Sequence, residues 1–309
     1  MRGVAFTVFG GDYERGAAVL LNSLGRAGWQ GRLHAFHVGD PPSWAAPLVA
    51  TPELFPFPGL QVVIEPLPEP WPLCRWRVAV AQRLLPTVPA GQVLAYFDAD
   101  IVVKGPIPWL GGQGPAAFTV VEDLNGQLPA AAPVRQAWAR RLKAWGYPVR
   151  REWGTYVNSG FFALRPGTGS GAEDILACWS ELLDRAEAAG VGLDRIKRHG
   201  EPQPEWHIVD QDLLNAALMA TTAAVQVRPA TEMDFGGVGT VMAHAIEAGK
   251  PWRRRFLVDA LKGWPPRSVD LAYWEHAEGP ALPFTMGELR RRRCALRFAS
   301  WLSRHYRRH

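Results

Sequence analysis

Two carboxylates, Asp98 and Asp100, sit at the end of Val93-Leu94-Ala95-Tyr96-Phe97, the apolar centre of the most strand-like run in the chain, Gln92 to Val103. In an extended strand residues i and i+2 face the same way with α-carbons roughly 6.6 Å apart, so the spacing predicts two acids converging on one point. Such a pair suits a hard divalent cation, Mn2+ or Mg2+, which takes oxygen ligands and is usually completed by substrate phosphates. The implied chemistry is a metal clamp for a diphosphate. D-x-D alone carries little specificity, and an acidic turn after a strand is the plainer alternative. The setting adds weight. A run apolar at every position suits a central strand buried on both faces, and in open α/β sheets ligands bind outside the carboxyl ends of the strands.

The surrounding pattern supplies such a sheet. Val4 to Phe9 reads as a first strand, Gly10-Gly11-Asp12 as a turn, and Tyr13 to Ala27 as a helix with Ala17, Leu20, Leu21 and Leu24 on one stripe, closed by Gly28. Leu33 to Val38 and Leu60 to Ile64 follow as strands, then an amphipathic helix from Arg77 to Leu85 stopped by Pro86. Beyond the Gly105 to Pro115 connection come strand Ala116 to Val121, helix Val134 to Trp145, strand Val157 to Leu164 and helix Ala172 to Ala189. Arg195 to Pro204 reads as a surface loop. Helix Asp210 to Ala220, strand Ala223 to Val227, a glycine turn at Gly236 to Gly239 and strand Val241 to Ile246 complete the pattern. Alternating strands and helices predict an α/β fold with a largely parallel sheet.

Length and composition allow this. The chain has 309 residues, 48% hydrophobic and 20% charged, values of a folded globular protein. No run of about 18 apolar residues suggests a membrane span, and the opening reads as a strand instead of a signal peptide. Cys74, Cys178 and Cys294 are odd in number and lack zinc-site spacing, which favours a reducing compartment, the cytoplasm. The net charge of +5 belongs to the end of the chain: residues 290–309 hold eight arginines and no acid, leaving the rest at −3. A slightly acidic body with one basic end argues against nucleic acid as a partner.

Further segments fall in a meaningful order: Tyr13-Glu14-Arg15-Gly16-Ala17-Ala18-Val19-Leu20, Arg77, Tyr96-Phe97-Asp98-Ala99-Asp100, Tyr156-Val157-Asn158-Ser159-Gly160-Phe161-Phe162, Asp210-Gln211-Asp212-Leu213-Leu214-Asn215, and His244 six residues before Lys250-Pro251-Trp252. From residue 4 to residue 252 the chain resembles the GT-A fold glycosyltransferases, specifically family 8, which includes glycogenin and the bacterial lipooligosaccharide galactosyltransferases. The resemblance implies a Rossmann-like, mixed and mostly parallel sheet flanked by helices. The pattern reads as one domain over residues 1–280, which by the resemblance would be nucleotide-binding to about residue 110 and acceptor-binding from about 111, followed by a basic amphipathic tail over 281–309.

The resemblance also implies roles. Asp98, Asp100 and His244 would hold Mn2+ (or Mg2+). Thr7, Phe9, Tyr13, Arg77, Ala99, Asn158, Ser159 and Lys250 would bind the donor, a nucleotide sugar, in this family a UDP-hexose. Asp210, Gln211 and Asp123 would lie beside the transferred sugar, with retention of configuration. The acceptor would be a glycan or a lipid-linked glycan. Each residue has a plainer reading: an isolated histidine is commonly packed, Lys250 and Arg77 could be surface cations, and Asp210 could be a helix N-cap. The chain departs from the family where H-F-x-G is replaced by His244-Ala245-Ile246-Glu247. A nucleotidyltransferase of the same fold is disfavoured because no G-x-G-T-R-x-x-P-like loop follows the first strand. A nucleotide-sugar or glycan-binding protein without turnover is the rival from another class.

Residues 288–309 interleave arginines with Cys294, Phe298, Trp301 and Leu302, which fall on one helical face. A stripe holding Trp and Phe between arginines suits a helix lying on an anionic membrane surface, here the inner face of the cell membrane. The alternative is a terminal helix docked on the body by that same stripe.

Overall fold

A computed structural model describes residues 2–46, 57–68, 71–110, 116–124, 129–167, 171–193, 205–235, 239–246 and 249–305. The expected loop Arg195 to Pro204, most of the Gly236 to Gly239 turn, Gly111 to Pro115, Glu247, Arg307 and Arg308 lie outside the described residues.

The centre is a seven-stranded sheet. Its strands in chain order are β1 (Arg2–Gly10), β2 (Gln30–Val38), β3 (Leu60–Pro66), β4 (Val93–Phe97), β6 (Phe118–Glu122), β7 (Val157–Leu164) and β8 (Val225–Arg228), arranged β3-β2-β1-β4-β7-β6-β8. All pairs are parallel except the two made by β7, which runs against both β4 and β6. Reversal of this one strand places its start, Asn158 to Gly160, beside the end of β4, where the acids lie. Every residue of β4 and β7 is buried, as continuous apolarity requires of strands covered on both faces.

Helices cover both faces: α1 (Glu14–Arg26), α2 (Leu73–Leu84), α3 (Pro133–Ala144), α4 (Ala172–Ala188) and α5 (Val209–Ala220). The predicted stripe of α1 is wholly buried, and the helix closes at Gly28 with paired bonds from Gly28 N to Gly25 O and Trp29 N to Leu24 O. Helix α2 starts at Leu73, a turn earlier than the pattern suggested. Pro72 precedes it, and the buried side chains Cys74, Arg77, Val78, Ala81 and Leu84 form its inner face.

The expected strand Gln92 to Val103 is two strands. The chain leaves β4 at Phe97, turns through Asp98-Ala99-Asp100 with Ile101 N bonded to Asp98 O (3.0 Å), and enters β5 (Ile101–Val103) in a second, two-stranded sheet. Its antiparallel partner is β9 (Met242–His244), in register Ile101 to His244. The two acids therefore converge through a turn, and strand alternation does not align them. Gly16 of α1 lies against this turn, where a Cβ would come within 2.2 Å of Ala99 O, so only glycine lets the helix approach so closely.

After β9 the chain forms a helical cap: α6 (Phe256–Leu261) and α7 (Ser268–His276), which the sequence reading left unassigned, and α8 (Met286–His305), the helix expected over residues 288–309. Trp252, Phe256, Tyr273, Trp274, Phe284, Leu289 and Leu296 make its core. The tail helix α8 docks through Leu289, Leu296 and Ala299, assisted by Arg293, which donates to Trp274 O (2.9 Å) and Glu278 (2.6 Å). The stripe read from the sequence faces outward: Cys294, Phe298 and Trp301 are exposed, and Leu302 alone is partly covered. The helix both docks and shows an aromatic face, because two different stripes serve the two purposes.

Candidate active site

A cavity of about 390 Å³ opens at the carboxyl ends of β1 and β4 and the start of β7. Asp98, Ala99, Asp100, His244 and Lys250 line one side; Asp123, Asn158, Ser159, Asp210 and Gln211 line the other, with Val8, Tyr13 and Arg77 completing the polar and aromatic walls. Thr7 and Phe9 do not line it. They point to the opposite face of β1, where Phe9 packs near Trp44 (6.3 Å between ring centres) and Thr7 is buried, so the intervening Val8 meets the cavity instead. That is the consequence of strand alternation.

The cluster at the β4 end is built by the β5–β9 pairing, which carries His244 across 144 residues of sequence to the acids. His244 Nε2 lies 3.1 Å from Asp100 Oδ1 and 3.5 Å from Asp98 Oδ2. One ligand atom from each of the three residues falls within 4.8 Å of the others. Gly160 is the floor: a Cβ there would stand 2.4 Å from His244 Cε1 and 2.6 Å from Asp98 Oδ2. Two carboxylates and an imidazole around a side-chain-free floor fit an ion such as Mn2+ or Mg2+.

Neighbouring cations of the protein keep both acids ionised. Burial alone would raise the Asp98 carboxyl, but Arg77 and His244 outweigh it and hold it far below the ordinary range. Asp100 is lowered by His244 and Lys250 against the same penalty. Burial pulls His244 down, yet the two carboxylates lift it to about 9. Lys250 donates to Asp100 Oδ2 (2.6 Å) and to Ala245 O. It is buried beside the cluster, with its charge held up by Asp100 against desolvation. Trp252 is likewise internal: it stacks edge-on to Tyr13 (5.4 Å) and donates to Asp12 (2.9 Å).

Arg77 is also buried. It donates to Ser159 O (2.6 Å) and Asp210 Oδ2 (3.0 Å), lies 4.0 Å from Asp98 Oδ1 and rests over the Tyr96 ring. It ties the acid cluster to the opposite wall. Asp210 does not cap its helix: Ile208 occupies the N-cap position without a side-chain cap, and the Asp210 carboxylate takes Arg77 and the Ser159 hydroxyl (3.1 Å) instead. Burial raises its pKa, against Arg77.

The wall's amides are locked. Backbone N–H groups only donate, so Ser159 N (3.1 Å) fixes Gln211 Oε1 and Gly160 N (2.8 Å) fixes Asn158 Oδ1. Asn158 Nδ2 then donates to Gln211 Oε1 (3.0 Å) and Asp123 Oδ2 (3.0 Å), and Gln211 Nε2 to the same Asp123 oxygen (3.1 Å). Two residues quoted in the Asp210 to Asn215 motif, but given no role from sequence, support this wall. Asn215 brackets Val157, accepting from its N (3.0 Å) and donating to its O (2.9 Å), and so anchors the start of β7 to α5. Asp212 accepts from Tyr156 Oη (2.6 Å), His207 N (2.5 Å) and Ile208 N (3.2 Å). The i+4 spacing of Gln211 and Asn215 was the available signal for the first, since it puts both on one helix face.

A mixed sheet with one reversed strand and a polar cavity at the end of β4 places the chain in the α/β class with the GT-A architecture. Solved structures of that architecture superpose on nearly all of it. The bifunctional glycosyltransferase WbbM aligns at 13% identity and TM-score 0.56, covering 93% of this chain and 51% of its own. The glycosyltransferase GlyE of Streptococcus pneumoniae aligns at 14% and 0.53, covering 99% and 64%. The galactosyltransferase LgtC, solved with donor and acceptor sugar analogs, aligns at 15% and 0.56, covering 94% and 99%. The chain thus spans about half of WbbM and under two thirds of GlyE. No protein-family model and no curated protein sequence matches it.

Proposed function

We propose that this chain is a metal-dependent, family 8-like glycosyltransferase that moves a hexose, with retention, from a UDP-linked donor to a glycan or lipid-linked acceptor. The observation that carries the reading is one cavity in which a carboxylate and histidine set faces a wall of locked amides and carboxylates. The first set suits a diphosphate-bound cation and the second suits sugar hydroxyls. Glycosyltransferases sharing the fold add support.

Asp98, Asp100 and His244 would hold Mn2+ (or Mg2+), which when bound acts as a Lewis acid toward the departing diphosphate. Lys250 adds fixed positive charge beside it, aimed at charge that develops as the glycosidic bond breaks. Tyr13 offers an aromatic surface to the nucleoside end. Asp210, oriented by Arg77 and Ser159, accepts from sugar hydroxyls. Gln211 has both lone pairs of Oε1 committed, so it acts as an N–H donor and positioning group, and its carbonyl is not the attacking nucleophile. Asp123, which accepts from two amides and lines the cavity, would face the sugar or the incoming acceptor hydroxyl. On α8, Phe298 and Trp301 lie exposed among arginines and would contact an anionic membrane surface carrying the acceptor. No helix among the described residues is long and apolar enough to cross a membrane.

The test is a panel of nucleotide sugars incubated with the full chain, with and without Mn2+, reading nucleoside diphosphate release and, by NMR, the anomeric configuration of the product. Metal-dependent release from a UDP-hexose supports the reading. Metal-dependent UDP binding with no turnover across broad donor and acceptor panels would replace the enzyme by a binding protein, and absence of binding would refute both.

A further inference from the structure

Asp98 has two carboxylate oxygens in unlike surroundings. Oδ2 faces His244 Nε2 at 3.5 Å and overhangs Gly160. Oδ1 points the other way and accepts a hydrogen bond from Tyr96 Oη. Arg77, at 4.0 Å from Oδ1, is too distant for a hydrogen bond and contributes charge. Tyr96 lies two residues before Asp98, and its ring is fixed by Phe6 (5.0 Å), by stacked Phe162 (5.1 Å) and by the Arg77 guanidinium (5.0 Å). The phenol has little freedom to leave.

Resting on the metal reading above, we infer that Tyr96 is a positioning residue for the ion: it ties off Oδ1 so that Asp98 offers Oδ2 alone. A carboxylate restrained to one oxygen suits Mn2+ or Mg2+, whose six positions are shared with water and phosphate. Ca2+ takes six to eight oxygens and gains from carboxylates that bind through both. The Tyr96 hydroxyl therefore sets both affinity and preference between ions. Outer partners of metal ligands commonly contribute about 10–100-fold in affinity.

The experiment uses the full chain and Mn2+ alone, followed by electron paramagnetic resonance of the free ion, with Ca2+ as competitor. Tyr96→Phe keeps the stacked ring and removes the hydroxyl. It is expected to weaken Mn2+ binding about tenfold and to narrow the preference for Mn2+ over Ca2+, and the change should vanish in an Asp98→Asn background. Unchanged affinity and preference in Tyr96→Phe overturn the inference. So does a loss that persists undiminished in the Asp98→Asn background, which marks a packing defect. Wild-type protein that binds no Mn2+ overturns the metal reading itself, and this inference with it.

Discussion

Gly160→Ala is the sharpest probe of the site. Its backbone lies in a buried strand, so alanine is allowed conformationally, but the added Cβ would stand 2.4 Å from His244 Cε1, 2.6 Å from Asp98 Oδ2 and 2.9 Å from Asn158 Oδ1. Ordinary contacts start near 3.4 Å, so the imidazole and the Asp98 carboxylate must retreat by about 1 Å into a packed interior. Overpacking of this kind costs about 1–3 kcal/mol, and a misplacement of about 1 Å can cost roughly a hundredfold in function. The effect is readable without turnover. At a Mn2+ concentration about 100 times its dissociation constant, binding stabilises the wild type by about 2.7 kcal/mol; a hundredfold weaker site leaves about 0.4 kcal/mol. Melting curves with and without Mn2+ should therefore show a metal-linked rise in wild type that nearly disappears in Gly160→Ala. Gly105→Ala, whose Cβ would meet nothing within 4 Å, should keep it. Full metal-linked stabilisation in Gly160→Ala would refute the claim that Asp98 and His244 hold an ion above this floor.

Three further outcomes follow from the geometry. Gln211→Glu replaces the amide donor to Asp123 by a second acidic group, so donor turnover at neutral pH should fall about tenfold or more, and unchanged turnover would refute a role for that contact. Burial lifts Asp212 from its ordinary 3.8 to about 6, so the folded state holds that proton longer. The stabilisation this gives is complete below 3.8 and lost as pH rises through about 6, worth about 3 kcal/mol. Asp210 is shifted the same way, whereas Asp98 and Asp100 act below 3.8. Asp212→Asn should flatten the urea-unfolding profile over that window, and an unaltered slope would refute the assignment. Phe298→Ser and Trp301→Ser each remove a side chain that is already about half exposed, so melting should not change; cosedimentation with anionic vesicles should weaken, by about 1 kcal/mol per residue.

Much of this was legible because it is local. Alternation and helical stripes located β1, α1, β2, β3 and β7 to within a few residues, and the apolar run of β4 marked the strand at whose end the acids lie. What failed is instructive. Gln92 to Val103 is apolar on both sides of the acids, and no local signal separates a long strand from two strands of different sheets joined by a turn. The partner that splits it, β9, is distant in sequence: Ile101 pairs in register with His244. Thr7 and Phe9 were assigned to the donor by resemblance, although alternation along β1 puts them on the face opposite Val8. The stripe of Cys294, Phe298 and Trp301 is legible from helical spacing, but the docking stripe of Leu289, Leu296 and Ala299 is not, because the helices it packs against, α6 and α7, belong to a cap with little periodicity of its own.

The same distinction separates residues that touch a ligand from residues that shape the site. Acids, amides and a histidine at motif spacing announce themselves, whereas their supports depend on tertiary pairing. Arg77 shows the difference. As a type it is a phosphate binder, yet its two hydrogen bonds and its approach to Asp98 are spent on Ser159, Asp210 and the acid turn, all within the protein. Removing it would strand Asp210 in a buried setting, a loss of about 3–5 kcal/mol by the usual cost of breaking an internal pair. A guanidinium committed in this way links the two walls of the cavity: the same side chain that hydrogen-bonds Asp210 and Ser159 O supplies charge to Asp98 at the acid turn.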